Sequence, residues 1–318
     1  MAQTLSGKQV HSVRKTGIAT SWKGIGKNWD MYLLILPVVA YFIIFKYWPM
    51  YGIQIAFKDY IATKGIWGSP LVGLKHFARF FRSYHFESLI QNTLGISIYR
   101  LLVGFPIPIL LALMMNEVKN QAYKKTVQTI TYAPHFLSTV VLVGMMTSML
   151  SPRNGLINKF LNQLGMEPVY FMAEAGWFKS LYVWSGIWQN MGWNSVIYMA
   201  ALSGIDPTLY EAAIVDGASK MQRIWHITIP GILPTAITLL ILNTGNIMDV
   251  GFEKVFLMQN GSNLTSSEVI STYVYKAGLV GAQYSFSTAV GMFNSVINFL
   301  LLLAVNKISK KTTETSLW

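Results

Sequence analysis

Apolar residues along this chain come in long runs rather than in alternation. Six segments, approximately 31–56, 88–115, 127–150, 180–203, 231–256 and 284–306, each supply the roughly 20 mostly apolar residues that a helix needs to cross hydrocarbon. The pattern predicts an all-α polytopic membrane protein with six transmembrane helices. A polar tail over 1–30 precedes the transmembrane domain of 31–306, and a second tail covers 307–318. Pro37, Pro106, Pro108 and Pro134 fall inside spans, where neighbouring helices can re-satisfy the freed backbone groups.

Two polar interruptions stand out. In loop 57–87 the stretch GLKHFARFFRSYHF puts Leu74, Phe77, Phe81 and Tyr84 on one helical face and Lys75, Arg79 and Arg82 elsewhere. This reads as an amphipathic helix lying at the membrane interface, with contact to an external partner as the other reading. The second interruption, loop 204–230, contains YEAAIVDGASKMQRIWHITIP. Asp206-Pro207 has the form of a helix start, an Asp cap followed by Pro at the first helical position. Gly217 suits the left-handed residue that ends a helix. Ser219 with Gln222 three residues on forms a capping box for a second helix, which Pro230 is expected to close. The surface is small (Ala212, Ala213, Ala218) and carries Glu211, Asp216 and Arg223. A docking knob and a merely capped loop both fit these residues.

Composition agrees with the spans. Of 318 residues 53% are hydrophobic and 12% charged, about half the charged share of a soluble domain. With no cysteine there is no disulfide framework or thiolate metal site. The basic N-terminal tail has no short apolar region ahead of it, so no cleavable signal is expected. The net charge of +12 is scattered over loops, which suits anionic lipid or an anionic substrate better than a nucleic-acid groove. Lys and Arg set orientation. With the N-terminus inside, inner segments hold 13 and outer loops 10. The short loop KNQAYKK and the two tails decide for cytoplasmic termini, against the basic outer loop 57–87. Loop 204–230 is then cytoplasmic.

Polar stripes mark three spans. Asn190, Asn194 and Tyr198 recur every four residues; Asn243, Asn246 and Asp249 every three; Asn294 and Asn298 share a face with Gly291 and Ser295. Arg100 lies in mid-span. Such groups are costly toward lipid and should face inward. They serve either hydrogen bonds between helices or a polar path, in which Trp184, Trp188, Trp193 and Tyr198 could offer ring faces to sugars. Arg100 is expected to meet either the Asp249 carboxylate or an anionic substrate. Lys46 can snorkel to the surface.

The spacing Glu211-Ala212-Ala213, three residues, Gly217, nine residues, Ile227, one residue, Ile229-Pro230 resembles the EAA loop of binding-protein-dependent ABC importer permeases, with Ile-Pro where Leu-Pro is usual. VGLKHFARFF, GFPIPILLALMMNEV, TYAPHFLSTVV, WQNMGWNSVIYMAALSGIDPTLYEAAIVDGA, HITIPGI and GFEKVFLMQN are similar to carbohydrate-uptake members that serve oligosaccharides cut from complex polysaccharides. The resemblance covers about residues 29–311. It implies the type I importer permease fold in a bacterial cytoplasmic membrane. It also implies a second homologous permease, two cytoplasmic ATPases and an extracytoplasmic solute-binding protein that delivers sugar. By resemblance the EAA loop seats on the ATPase, and Glu211, Ala212, Ala213, Asp216, Gly217, Arg223 and Pro230 take the coupling role. ATP and magnesium would belong to the partner ATPase. This chain has no GxxxxGK[ST] and no HExxH, and it is expected to be non-catalytic and to hold no cofactor, metal or nucleic acid. A membrane enzyme or an ATPase-independent channel would leave loop 204–230 without a task. The basic outer loop and Arg100 favour a uronate-containing oligosaccharide, such as an alginate or pectin fragment, over a neutral one.

Overall fold

The computed structural model describes residues 29–313 and 316–317, so the polar, basic tail expected ahead of the first span lies, up to residue 28, outside the described residues. Two compact units are present, residues 1–53 and 54–318. The described part of the first opens helix α1, Trp29–Phe57, whose residues Leu33 to Phe45 are apolar on every side. A helix of that composition needs lipid or other helices as its solvent.

The second unit is helical, and among its described residues the one β-type pairing is an isolated bridge between Lys58 and Leu71. Its principal elements are α2 (Lys75–Phe81), α3 (Phe86–Asn116), α4 (Gln121–Phe136), α5 (Thr139–Met149), α6 (Leu156–Gln163), α7 (Ala175–Ser203), α8 (Pro207–Val215), α9 (Lys220–Gly245), α10 (Phe252–Met258), α11 (Ile270–Tyr275) and α12 (Tyr284–Thr313). Among the described residues four helices, α1, α3, α9 and α12, are long and apolar enough to cross a membrane, and the pair α4–α5 makes a fifth candidate if counted as one span. At 29 residues α7 is also long enough, but residues such as Gln189, Asn190 and Asn194 lower its hydropathy.

Three segments depart from the spans read in the sequence. The run 127–150 is not one rod, because α4 and α5 meet at 100°. Pro134 lacks the N–H that would continue α4, and Ser138 caps α5 by accepting from Val141 N. The run 231–256 stops being helical at Gly245; residues 246–251 turn, and α10 follows. Pro230 does not close a separate helix. It lies within α9, just after a π turn over Ile224–Thr228 that absorbs its missing N–H and its crowding of the preceding turn.

The stretch 74–84 carries a short helix that packs on the bundle by the face opposite the apolar one read at the interface. His76 and Phe80 are buried, whereas Leu74, Phe81 and Tyr84 are exposed. Phe80 sits edge-on to Phe86, Phe286 and Phe293, which anchors α2 on α12. Lys75 and His76 both reach Asp59, at 2.6 and 3.0 Å. The hydrogen bond from Lys75 holds the Asp59 carboxyl below its ordinary range.

Apolar clusters divide the unit by depth. Ile96, Phe178, Val183, Val250 and Val255 form one, and Ala112, Tyr198, Leu202, Ile232 and Ala236 another. Between lipid-embedded helices burial from water is not the driving force, so close packing and interhelical hydrogen bonds hold these contacts.

Candidate functional site

The turn over 246–251 is the structural key to the interior. Non-helical backbone at this depth must find polar partners within the protein, and three helices supply them. Asn298 of α12 accepts from Met248 N at 2.9 Å, and Arg100 Nη2 of α3 donates to the Asp249 carbonyl at 3.2 Å. The Tyr182 hydroxyl of α7 donates to the Val250 carbonyl. The turn ends at Gly251, whose φ is +88°.

Beside this turn lies a cavity of about 350 Å³. Arg100, Asn190, Asn194 and Asn243, all read from the sequence as path residues, line it. Ser97, Gln189 and Lys254, which the sequence reading missed, line it too. None of its lining residues is acidic. Ser97 Oγ is buried without a partner among the described protein groups. Asn190 Oδ1 meets His135 Nδ1 at 3.0 Å, and that imidazole stacks on Trp193 with centroids 4.7 Å apart.

Other predicted path residues have structural roles. Tyr198 is buried in an apolar cluster. Asn246 donates back to the Leu242 carbonyl of its own helix, and Asn298 holds the turn. Trp188 does not line the cavity, and neither does Asn294, whose Oδ1 is buried without a partner among the described residues. The expected pairing of Arg100 with the Asp249 carboxylate is replaced by a bond to that residue's main chain, and among the described residues Arg100 makes no ion pair. A guanidinium has five N–H donors, and Arg100, which also lines the cavity, gives one of them to the turn. Lys254 Nζ donates to the Tyr182 carbonyl at 2.9 Å and lies 4.8 Å from the centre of that ring.

At the far end of α7 the loop folds as its caps dictate. Asp206 accepts from Thr208 N at 2.9 Å and starts α8, with Pro207 at the first position. That main-chain bond holds the Asp206 carboxyl below its ordinary range. Gly217 takes φ +76°. Ser219 and Gln222 exchange the two bonds of a capping box at 2.7 and 3.4 Å. Tyr210 and Thr228 share a hydroxyl hydrogen bond at 3.0 Å, and Lys220 reaches Glu117 at the end of α3 at 3.1 Å. Glu211, Ala212 and Asp216 are exposed. Leu209, Ile214, Val215, Met221 and Trp225 are exposed beside them, Val215 at 86%. An apolar surface with charges among it, at a polar end of a bundle, is the form of a protein-docking patch.

Residues 104–314 match the model of the family described as binding-protein-dependent transport system inner membrane component. The chain belongs to this family. It is 45% identical over 288 residues to the polygalacturonan/rhamnogalacturonan transport system permease protein YteP of Bacillus subtilis strain 168, covering 91% of this chain and 90% of that one. It is 41% identical to Protein LplB of the same strain, over 99% of this chain and 100% of the other. Among solved structures, a bacterial alginate ABC transporter, in complex with an alginate pentasaccharide-bound periplasmic protein, contains a chain similar to it. The TM-score is 0.86 at 44% identity, covering 93% of this chain and 99% of that chain. The permease is thus an inner-membrane transport component, and its relatives are non-catalytic subunits.

Proposed function

We propose that this permease forms half of the passage of an ATP-driven importer of acidic oligosaccharides, and that α8 with the start of α9 couples it to a cytoplasmic ATPase. The cavity carries the reading. Arg100 and Lys254 line it with four amide side chains, and no lining residue is acidic. Amides can bond sugar hydroxyls, and a guanidinium takes a carboxylate in a fork of two hydrogen bonds. The names of two relatives, which handle polygalacturonan/rhamnogalacturonan and alginate, support an acidic sugar.

For coupling, the observation is the exposed apolar surface beside Glu211 and Asp216 on a loop locked by its own caps. A second homologous permease would complete the passage, two ATPases would bind ATP and magnesium, and a solute-binding protein would deliver the sugar. In this reading the chain crosses the membrane six times with both termini cytoplasmic, α4–α5 counting as one bent span.

The test is uptake by the reconstituted complex with its matching binding protein. The wild type should carry uronate oligomers in preference to neutral ones. Arg100→Gln should lower uronate uptake by about tenfold or more while the complex still assembles, because hydrogen bonds to charged groups contribute about 1.5–3 kcal/mol. A wild type that prefers neutral oligosaccharides would overturn the acidic reading.

A further inference from the structure

We infer that Lys179 and Lys254 are specificity-determining residues, forming with Arg100 a ladder of cations that takes a polyuronate by successive carboxylates. The inference rests on the acidic-oligosaccharide reading and extends it to two residues that neither the family pattern nor the polar stripes single out.

The usual fate of a lysine near a helix end is to extend along its apolar stem toward headgroups or water. Lys179, four residues into α7, does otherwise. A methyl placed on Gly95 of α3 would lie 3.0 Å from Lys179 Nζ, so the ammonium is turned across onto the neighbouring helix. Lys254 repeats the arrangement one level deeper. A methyl on Gly186 of α7 would lie 3.2 Å from its Nζ. In each case a glycine leaves the room that the cation occupies. Among the described residues neither lysine makes an ion pair.

The order follows from the helices. Asn92 of α3 bonds the Thr265 carbonyl, and Ser266 bonds the Ala175 carbonyl, so the starts of α3 and α7 share one end of the bundle. That end is opposite the docking loop, which follows the C-terminus of α7. Lys179 is therefore nearest the outer end. The Tyr182 carbonyl that holds Lys254 lies about 4.5 Å of helix rise further in, and Arg100 stands about 7.5 Å of rise beyond Gly95 on α3. Lys179 precedes the cavity-lining Val183 by one turn, and Lys254 and Arg100 line the cavity itself. Ser97 Oγ, buried among the lining residues without a protein partner, gives a hydroxyl ligand a further place to bond. A ladder of this kind favours an oligomer with a charge on each unit over one with a single charged end.

The experiment is uptake of tetragalacturonate by the complete importer with its binding protein, reconstituted in vesicles. Lys254→Gln should lower uptake by about tenfold or more, and Lys179→Gln by a smaller factor. Lys254→Arg should restore most of it, because charge rather than shape is required. Gly186→Ala, which pushes the ammonium aside without removing it, should fall between wild type and Lys254→Gln. Wild-type uptake in both glutamine variants would overturn the ladder while leaving the acidic reading intact. Failure of Lys254→Arg to restore uptake, with Gly186→Ala unaffected, would reduce Lys254 to a packing residue and also sink it. A wild type that carries maltotetraose and rejects tetragalacturonate would remove the reading on which the ladder rests, and the ladder with it.

Discussion

Loop 204–230 and the cavity use similar side chains over very different reaches of chain. In the loop, Asp206 bonds Thr208 and Ser219 bonds Gln222. Around the cavity, Asn298 bonds Met248, Tyr182 bonds Val250, and Arg100 bonds Asp249 across 149 residues. The loop's caps are thus set locally, while Lys220–Glu117 and Tyr210–Thr228 tie it to the ends of α3 and α9. The cavity exists only while α3, α7, α9 and α10, which line it, and α12, which holds the turn, keep their present arrangement. Any rocking of those helices that transport demands must carry the 246–251 turn along or break its bonds. In the proposed importer, rigid-body motion at the loop and repacking at the cavity would be the two halves of one device.

The largest expected effect breaks the rigid half. Gly217→Val puts a β-branched residue at φ +76°, with strain of about 1–2 kcal/mol. Open space surrounds the position, so the cost is in the backbone alone. Substrate-stimulated ATP hydrolysis by the assembled complex should fall to near its basal level, while membrane insertion is retained. Gly217→Asn, tolerated in this conformation, should recover much of the activity. If the valine variant couples normally, the loop is a capped surface and no transmitter.

A middling effect separates the asparagines around the turn. Met248 is buried, so Asn298→Leu leaves its N–H without an acceptor, at about 1–3 kcal/mol. The melting temperature of the purified complex should drop, and uronate uptake should drop with it as the Arg100 anchor loosens. Asn246→Ala removes only a bond back to its own helix and should change stability by less than about 0.5 kcal/mol. Equal effects from the two would mean that the turn is not held from α12.

This contrast also explains what the sequence could reveal. Caps and the left-handed glycine are short-range patterns, so Asp206, Gly217, Ser219 and Gln222 are legible as written. Pro230 was misread because the π turn that absorbs it leaves no mark of its own in the residue string. The stripe of α7 was legible at Asn190 and Asn194, but its period also pointed to Tyr198, which packs in an apolar cluster. Continued upward instead, the same face reaches Gly186 and Lys179. Lys254 could not be placed, because the helix expected to carry it ends at Gly245 and only the chain reversal after it brings the ammonium to the cavity. On α2 both candidate faces are aromatic, and the partner rings that select Phe80 lie some 200 residues away.

The smallest effect is electrostatic and sharpens the comparison by pH. Asp206 is depressed by the hydrogen bond from the Thr208 main chain. A depressed carboxyl stabilises the fold above its ordinary value of 3.8 and loses that contribution as pH falls through the lower folded value. The start of α8 should therefore be equally well capped from about pH 5 to 8 and should fray only in stronger acid. Amide exchange at Thr208, corrected for its intrinsic pH dependence, reads this directly. Asp206→Asn keeps an acceptor that does not titrate and should remove the acid-induced fraying while leaving the cap. The cavity lining, by contrast, contains no carboxylate. Fraying of α8 between pH 5 and 8 would mean that a group other than Asp206 governs the cap, and the clean division between loop and cavity would fail.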